Sequence, residues 1–211
     1  RYLFNQCKIK IFPNFYFDSI NTKINLNDIK FNNDILVFSG TWHNLINQYE
    51  FLPTSKNLKY KKDIDITRKI NLNKKFIALH VRRGDYINYR ASKFHGNLDF
   101  SYYLKGINFL RTKFGNLPVF LFSDEPKWVQ DNYAKLIPNS TLISSENFSA
   151  ESEFIIMSKA NYFILSNSTY SWLAAFLSKN EDKFIIIPKF WFKGYQVSSD
   201  YIFKDWQYKI I

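Results

Sequence analysis

In His80-Val81-Arg82-Arg83-Gly84-Asp85-Tyr86, a histidine, two adjacent guanidiniums and a carboxylate crowd into one short run with a single glycine among them. The chemistry such a run suits is phosphate binding. Arginine stays charged and presents a planar fork of donors, so it matches a pair of pyrophosphate oxygens better than lysine does. Asp85 can hold one arginine by a bidentate pair and so preorganise the other. Gly84 admits a backbone conformation that a Cβ would forbid. His80 can hydrogen-bond a sugar or base, or carry a proton. Plainer readings compete. Arg82 and Arg83 could be a solvated surface pair, and His80 alone could be a satisfied core residue. Arg83-Gly84-Asp85 also spells a cell-adhesion tripeptide, but that needs an exposed loop tip and here it abuts an apolar run.

The elements that must position these groups follow from the flanking sequence. Phe76 to Val81 reads as a strand covered on both faces, because a short, nearly continuous apolar run suits that environment. After an aromatic loop, Tyr86 to Leu98, Asp99 caps a helix through Lys113 that Gly115 closes. Val119 to Phe122 is a strand; Asp124 then caps, and Pro126 opens, a helix through Ala134. A short strand at Thr141 to Ile143, a helix from Ser149 to about Ser158 and a strand at Tyr162 to Leu165 follow. Tyr170 to Ser178 is an apolar helix, and Phe184 to Ile187, ended by Pro188, is the last clear strand. Strand and helix in strict alternation predict an α/β fold, a parallel sheet with helices on both faces.

In such sheets ligands bind outside the carboxyl ends of the strands. Three polar clusters fall there: His80 to Asp85, Ser123 to Glu125, and Ser166 to Thr169. Asp124 or Glu125 offers oxygens for the amino and imino donors of guanine or for sugar hydroxyls. Ser166, Asn167, Ser168 and Thr169 open a helix whose unpaired N–H groups attract an anion. No glycine-rich phosphate loop occurs. The three clusters together suit a nucleoside diphosphate.

Upstream the signals are weaker. Lys8 to Phe17 could hold a strand interrupted or placed at an edge by Pro13, and Ile35 to Ser39 reads as a buried strand. Trp42, His43, Gln48 and Glu50 lie just past its end and are candidate substrate contacts, or simply part of a turn and an amphipathic helix. Leu52 to Lys75 is a polar, lysine-rich connector. The expected division is residues 1–72, the remainder of an N-terminal domain plus linker, and residues 73–211, a nucleotide-binding domain. The chain of 211 residues carries a net charge of +11, and Thr54 to Lys93 holds 12 Lys and Arg against 3 Asp, so most of the excess lies there. Such a block attracts anionic ligands, polyanions or anionic membrane surfaces. One Cys excludes internal disulfides and cysteine metal clusters, and three scattered His argue against a histidine metal site. No apolar stretch is long enough to span a bilayer as a helix.

His80-Val81-Arg82-Arg83-Gly84-Asp85-Tyr86 resembles the His-x-Arg-Arg-x-Asp-Tyr signature of α-1,2-fucosyltransferases. Phe122-Ser123-Asp124-Glu125-Pro126-Lys127-Trp128 is similar to that family's second block, and Ile164-Leu165-Ser166-Asn167-Ser168-Thr169-Tyr170-Ser171-Trp172 to its third. Ile187-Pro188-Lys189-Phe190-Trp191-Phe192, Asp205-Trp206 and the stretch from Phe38-Ser39-Gly40-Thr41-Trp42 to Tyr49 extend the resemblance over roughly residues 35–211. The resemblance implies a two-lobed (GT-B-like) glycosyltransferase with Rossmann-like domains. It further implies inverting transfer of fucose from GDP-β-L-fucose to the 2-hydroxyl of a galactose-terminated glycan, without a metal or other cofactor. By position, Arg82 would bind the β-phosphate, His80 and Asp124 or Glu125 the guanosine, and Ser166 to Thr169 the pyrophosphate and ribose, with Arg83 also on the donor. Arg82 and Asp85 are the expected catalytic residues, Asp85 as the orienter of Arg82. The general base is left open among Asp85, Glu50 and His43. Trp42, His43 and Glu50 are the expected acceptor contacts.

The family's N-terminal Gly-Gly-Leu-Gly-Asn-Gln loop has no counterpart, and the chain starts at Arg1 with Met157 as its one methionine. The expectation is therefore an incomplete N-terminal lobe. Ala160 and Leu173 replace the family's Cys and Trp. Alternatives are a GDP-sugar-binding fragment without transfer, another fucosyl linkage, or a basic nucleic-acid-binding module; the first reading expects no nucleic-acid partner. Composition fits a bacterial cytoplasmic enzyme, peripheral at the inner membrane, the alternative being a Golgi lumen; the family resemblance implies lipopolysaccharide or O-antigen synthesis. Oligomeric state is not specified by the sequence.

Overall fold

Six parallel strands form the main sheet of the computed structural model, which describes the backbone of residues 9–11, 35–37 and 89–91, and in full Ile70, Leu72, 74–87, 92–197, Ile202 and 206–211. The chain divides into two compact units, residues 1–43 and 44–211. In the first, β1 (Ile9–Ile11) pairs in parallel with β2 (Ile35–Val37). Trp42, His43 and Glu50 lie outside the described residues.

The second unit holds β3 (Ile77–Val81), β4 (Val119–Ser123), β5 (Ser140–Leu142), β6 (Tyr162–Ile164) and β7 (Phe184–Ile187). After the small antiparallel pair β8 (Phe190–Phe192) and β9 (Tyr195–Gln196) comes β10 (Gln207–Ile210). The sheet order is β10-β7-β6-β3-β4-β5. The chain starts in the middle, builds outward through β4 and β5, then returns to the other side of β3 for β6, β7 and β10. This is the order of a doubly wound, Rossmann-like sheet, whose strand order reverses between β3 and β6.

The apolar runs are continuous because both faces are covered, and successive residues serve opposite cores. Ile77, Leu79, Val81, Val119, Leu121, Ile164 and Ile186 pack with Tyr102, Tyr103, Ile107 and Leu110 of the helix Phe100–Phe114. Phe76, Ala78, Phe120, Phe122, Phe163, Ile185 and Ile187 pack with Ile155, Ile156 and Met157 of the helix Ala150–Ser158 and with Trp172, Ala174 and Phe176 of the helix Thr169–Leu177. Full burial of each large apolar side chain contributes about 1.5–3 kcal/mol. At Gly106 the helix comes so close to the sheet that an added Cβ would stand 3.2 Å from Ile164 Cδ1.

Helix starts follow local chemistry. Asp99 accepts from Ser101 N at 2.7 Å, Ser149 from Ser152 N and Ser168 from Tyr170 N. Gly115, at φ 93°, ends the first of these helices. Two expectations are corrected. Asp124 does not cap the helix Pro126–Asn132: Glu125 holds that position without a side-chain cap, and Ser123 Oγ accepts from Glu125 N instead. Phe184–Ile187 is not the last strand of the sheet. β10 extends it by parallel pairing with β7, and its four exposed residues, Gln-Tyr-Lys-Ile, carry none of the apolar continuity that betrays an inner strand.

Candidate functional site

The carboxyl ends of β3, β4 and β6 meet where the strand order reverses. At the end of β3, His80 is buried and its Nδ1 lies 2.6 Å from Ser166 Oγ, just past β6. Burial first, and the positive charge of Arg82 second, lower the His80 pKa from 6.5 to about 3. The ring is therefore neutral at physiological pH and acts as a hydrogen-bonding group, not as a cation or a proton carrier. Tyr170, in the first turn of the helix Thr169–Leu177, places its ring 5.3 Å from that of His80.

The turn after β3 is tied to the end of β4 by one carboxylate. Asp124 Oδ1 accepts from Arg83 N at 3.0 Å, Oδ2 accepts from Gly84 N at 2.9 Å, and Arg82 Nη1 stands 3.2 Å from the same Oδ2. Arg82 Nη2 pairs with Asp85 Oδ1 at 2.8 Å. An added Cβ on Gly84 would lie 2.6 Å from Asp124 Oδ2. At Gly84 the restriction is thus one of space and not of φ, since among the described residues the positive-φ glycines are Gly96, Gly115 and Gly194.

The two guanidiniums diverge. Arg82 lies beside Asp85, Asp124 and the ring of Tyr86, with Cζ 5.5 Å from its centroid. Arg83 turns to the helix Pro126–Asn132, where its Nε bonds Glu125 Oε2 at 2.8 Å and its Cζ sits 3.8 Å over the Trp128 ring. A planar guanidinium stacked on an indole and held at Nε is anchored to protein. The two guanidiniums that the sequence suggests for one diphosphate thus have separate protein partners: Arg82 lies against Asp85, Asp124 and Tyr86, while Arg83 joins the turn after β3 to Glu125 and Trp128 past the end of β4.

On the β6 side, Asn167 joins three segments. Its Nδ2 donates to the carbonyls of His95, Gly96 and Trp191 at 3.0–3.2 Å, and its own carbonyl accepts from Tyr86 Oη at 3.0 Å. Tyr86 stacks on His95 at 4.4 Å, 7° from parallel, and burial pushes its phenol up to about 12, so it stays a donor. Tyr102 Oη donates to Leu165 O at 2.6 Å and secures the end of β6. Ser166 and Asn167 are inside the protein, and Ser168 caps the helix through its side chain. Thr169 starts that helix and is exposed. Sequence reasoning left Tyr86, His95, Tyr102 and Trp128 without a role. Tyr86 in the β3 motif and Trp128 in the block after β4 were the visible signals; His95 and Tyr102 are aromatic residues among many.

The doubly wound sheet, with its polar loops gathered at the reversal point, defines a Rossmann-like α/β domain with a candidate ligand site at the carboxyl ends of its strands. The sequence matches the Glycosyl transferase family 11 profile over residues 61–210, and the chain belongs to that family. It is 40% identical over 135 residues to the O-antigen biosynthesis glycosyltransferase WbnK of Escherichia coli, covering 63% of this chain and 44% of that protein. It is 30% identical over 213 residues to an alpha-1,2-colitosyltransferase of Escherichia coli, covering 90% of this chain and 72% of the relative. A galactoside 2-alpha-L-fucosyltransferase of Caenorhabditis elegans is 27% identical over 110 residues, 49% of this chain and 30% of that protein. The chain thus spans less than half the length of the first of these relatives.

Proposed function

We propose that this chain forms the donor-binding part of an inverting glycosyltransferase that moves fucose from GDP-β-L-fucose to the 2-hydroxyl of a galactose-terminated glycan. The observation that carries the reading is Arg82, set at the strand-order reversal between Tyr86, Asp85 and Asp124. Each of its two terminal nitrogens spends one contact on a carboxylate, and a guanidinium has five donors. The rest can grip the β-phosphate.

In the proposed step the acceptor 2-hydroxyl oxygen bonds to the anomeric carbon as the bond from that carbon to the β-phosphate oxygen breaks. The hydroxyl proton goes to a base or to solvent, and GDP departs with the electron pair. Charge grows on the leaving diphosphate, so Arg82 stabilises the transition state more than the ground state. The positive N-terminus of the helix Thr169–Leu177 acts in the same sense. This chemistry calls for no metal. A second lobe would supply the acceptor site, with Trp42, His43 and Glu50 as its candidates in this chain. Two relatives whose names specify transfer to a 2-position, alpha-1,2-colitosyl and 2-alpha-L-fucosyl, support the linkage. The O-antigen relative supports a place in O-antigen synthesis.

A second reading, colitosyl in place of fucosyl transfer, is favoured by the relative that covers 90% of the chain. Calorimetry with GDP, GDP-fucose and GDP-colitose, followed by transfer to lactose, tests both. Binding and transfer of fucose establish the first reading, and preference for the colitosyl donor establishes the second. Binding without transfer leaves a donor-binding fragment. Failure to bind GDP overturns the site.

A further inference from the structure

Asp124 stands at the end of β4, yet every contact the structure gives its carboxylate lies on the neighbouring turn after β3. Oδ1 takes Arg83 N, and Oδ2 takes Gly84 N and Arg82 Nη1, so one carboxylate fixes both the course of the turn and the guanidinium that leaves it. Val81 and Ser123 are register partners on adjacent parallel strands, so the sheet itself delivers Asp124 to the turn. The approach is so close that a Cβ at position 84 would stand 2.6 Å from Oδ2, and a side chain there would push the carboxylate aside.

We infer that Asp124 is a positioning residue for Arg82, matched to Gly84, and makes no contact with the nucleoside of the donor. The inference rests on the nucleotide-sugar reading above and assigns the work within it. A carboxylate whose two oxygens already accept two backbone N–H groups and a guanidinium has little capacity left for the donors of a base. Held from one side by Asp124 and from the other by Asp85, Arg82 is preorganised, and a preorganised cation loses less freedom when phosphate arrives. Removal of the Asp124 charge frees Arg82 to turn toward Asp85 alone and lets the turn shift.

The experiment compares GDP with GMP, which differ by the phosphate Arg82 is proposed to hold. Wild-type protein that binds neither overturns the nucleotide-sugar reading itself. Given wild-type binding, Asp124→Asn is expected to lower the ratio of GDP to GMP affinity about tenfold while GMP affinity holds within twofold. Gly84→Ala, which keeps the carboxylate but pushes it aside, is expected to do the same. The double variant should be no worse than the poorer single variant, because both break one device. An unchanged ratio overturns the inference. So does an equal loss for both nucleotides, which would place Asp124 on the nucleoside, and so do independent, multiplying losses in the double variant. Should Asp124→Asn fail to fold by circular dichroism, Gly84→Ala carries the same test.

Discussion

His80 Nδ1 stands 2.6 Å from Ser166 Oγ, a buried bond that links the ends of β3 and β6. It joins residues 86 positions apart and sets the loop that carries Arg82 against the loop that opens the helix Thr169–Leu177. Because the imidazole is buried, its protonation is coupled to folding. The native pKa of about 3 lies below the ordinary 6.5. The unfolded chain therefore binds the extra proton in the window between them. Stability from the neutral ring is complete above about pH 6.5 and is lost as pH falls toward 3, at up to about 1.4 kcal/mol per pH unit. Urea denaturation at pH 7, 6 and 5 should show this slope, and His80→Asn should be shallower. Equal slopes would mean that the ring is not buried neutral.

Arg82→Ala should weaken GDP binding at least tenfold, about 1.5–3 kcal/mol for charged hydrogen bonds. Calorimetry at fixed salt measures it. An unchanged dissociation constant would remove Arg82 from the phosphate.

Arg83 and Trp128 should behave as a structural pair. Each single change to Ala lowers stability, and a double-mutant cycle should return a coupling of about 0.5–1 kcal/mol for a partly exposed guanidinium on an indole. Chemical denaturation of the four proteins decides it, and a coupling indistinguishable from zero would show that the stacking contributes nothing.

Asn167→Asp places a carboxylate where three backbone carbonyls now receive the amide hydrogens. Acceptor facing acceptor in a buried site should cost at least about 2 kcal/mol, more than one neutral hydrogen bond. The loss should appear as a lower urea midpoint, and a midpoint within error of wild type would contradict the bonding of the amide to these three carbonyls.

Much of the fold was legible along the chain. The alternation of short apolar runs with helix signals depends on sheet faces that are both covered, and the caps at Asp99 and Ser149 act over two or three residues. Such local rules do not need the rest of the molecule. β10 escaped them because its side chains are exposed and its place is held by backbone pairing to β7. The motif around His80 was equally legible as a cluster of chemistry, but the separate destinations of Arg82 and Arg83 were not, since Trp128, Glu125 and Asp124 reach them from another strand end.

The residue types along this chain determined a parallel α/β sheet and marked which turns carry charge and hydroxyls, because strand period and helix capping are short-range physics. Only the tertiary structure decided which turns touch. The reversal of strand order sets β6 beside β3, so Ser166 meets His80 and Tyr86 meets Asn167. The spacing of adjacent strands brings Asp124 within reach of Gly84, and that contact, made across 40 residues, gives the glycine its reason.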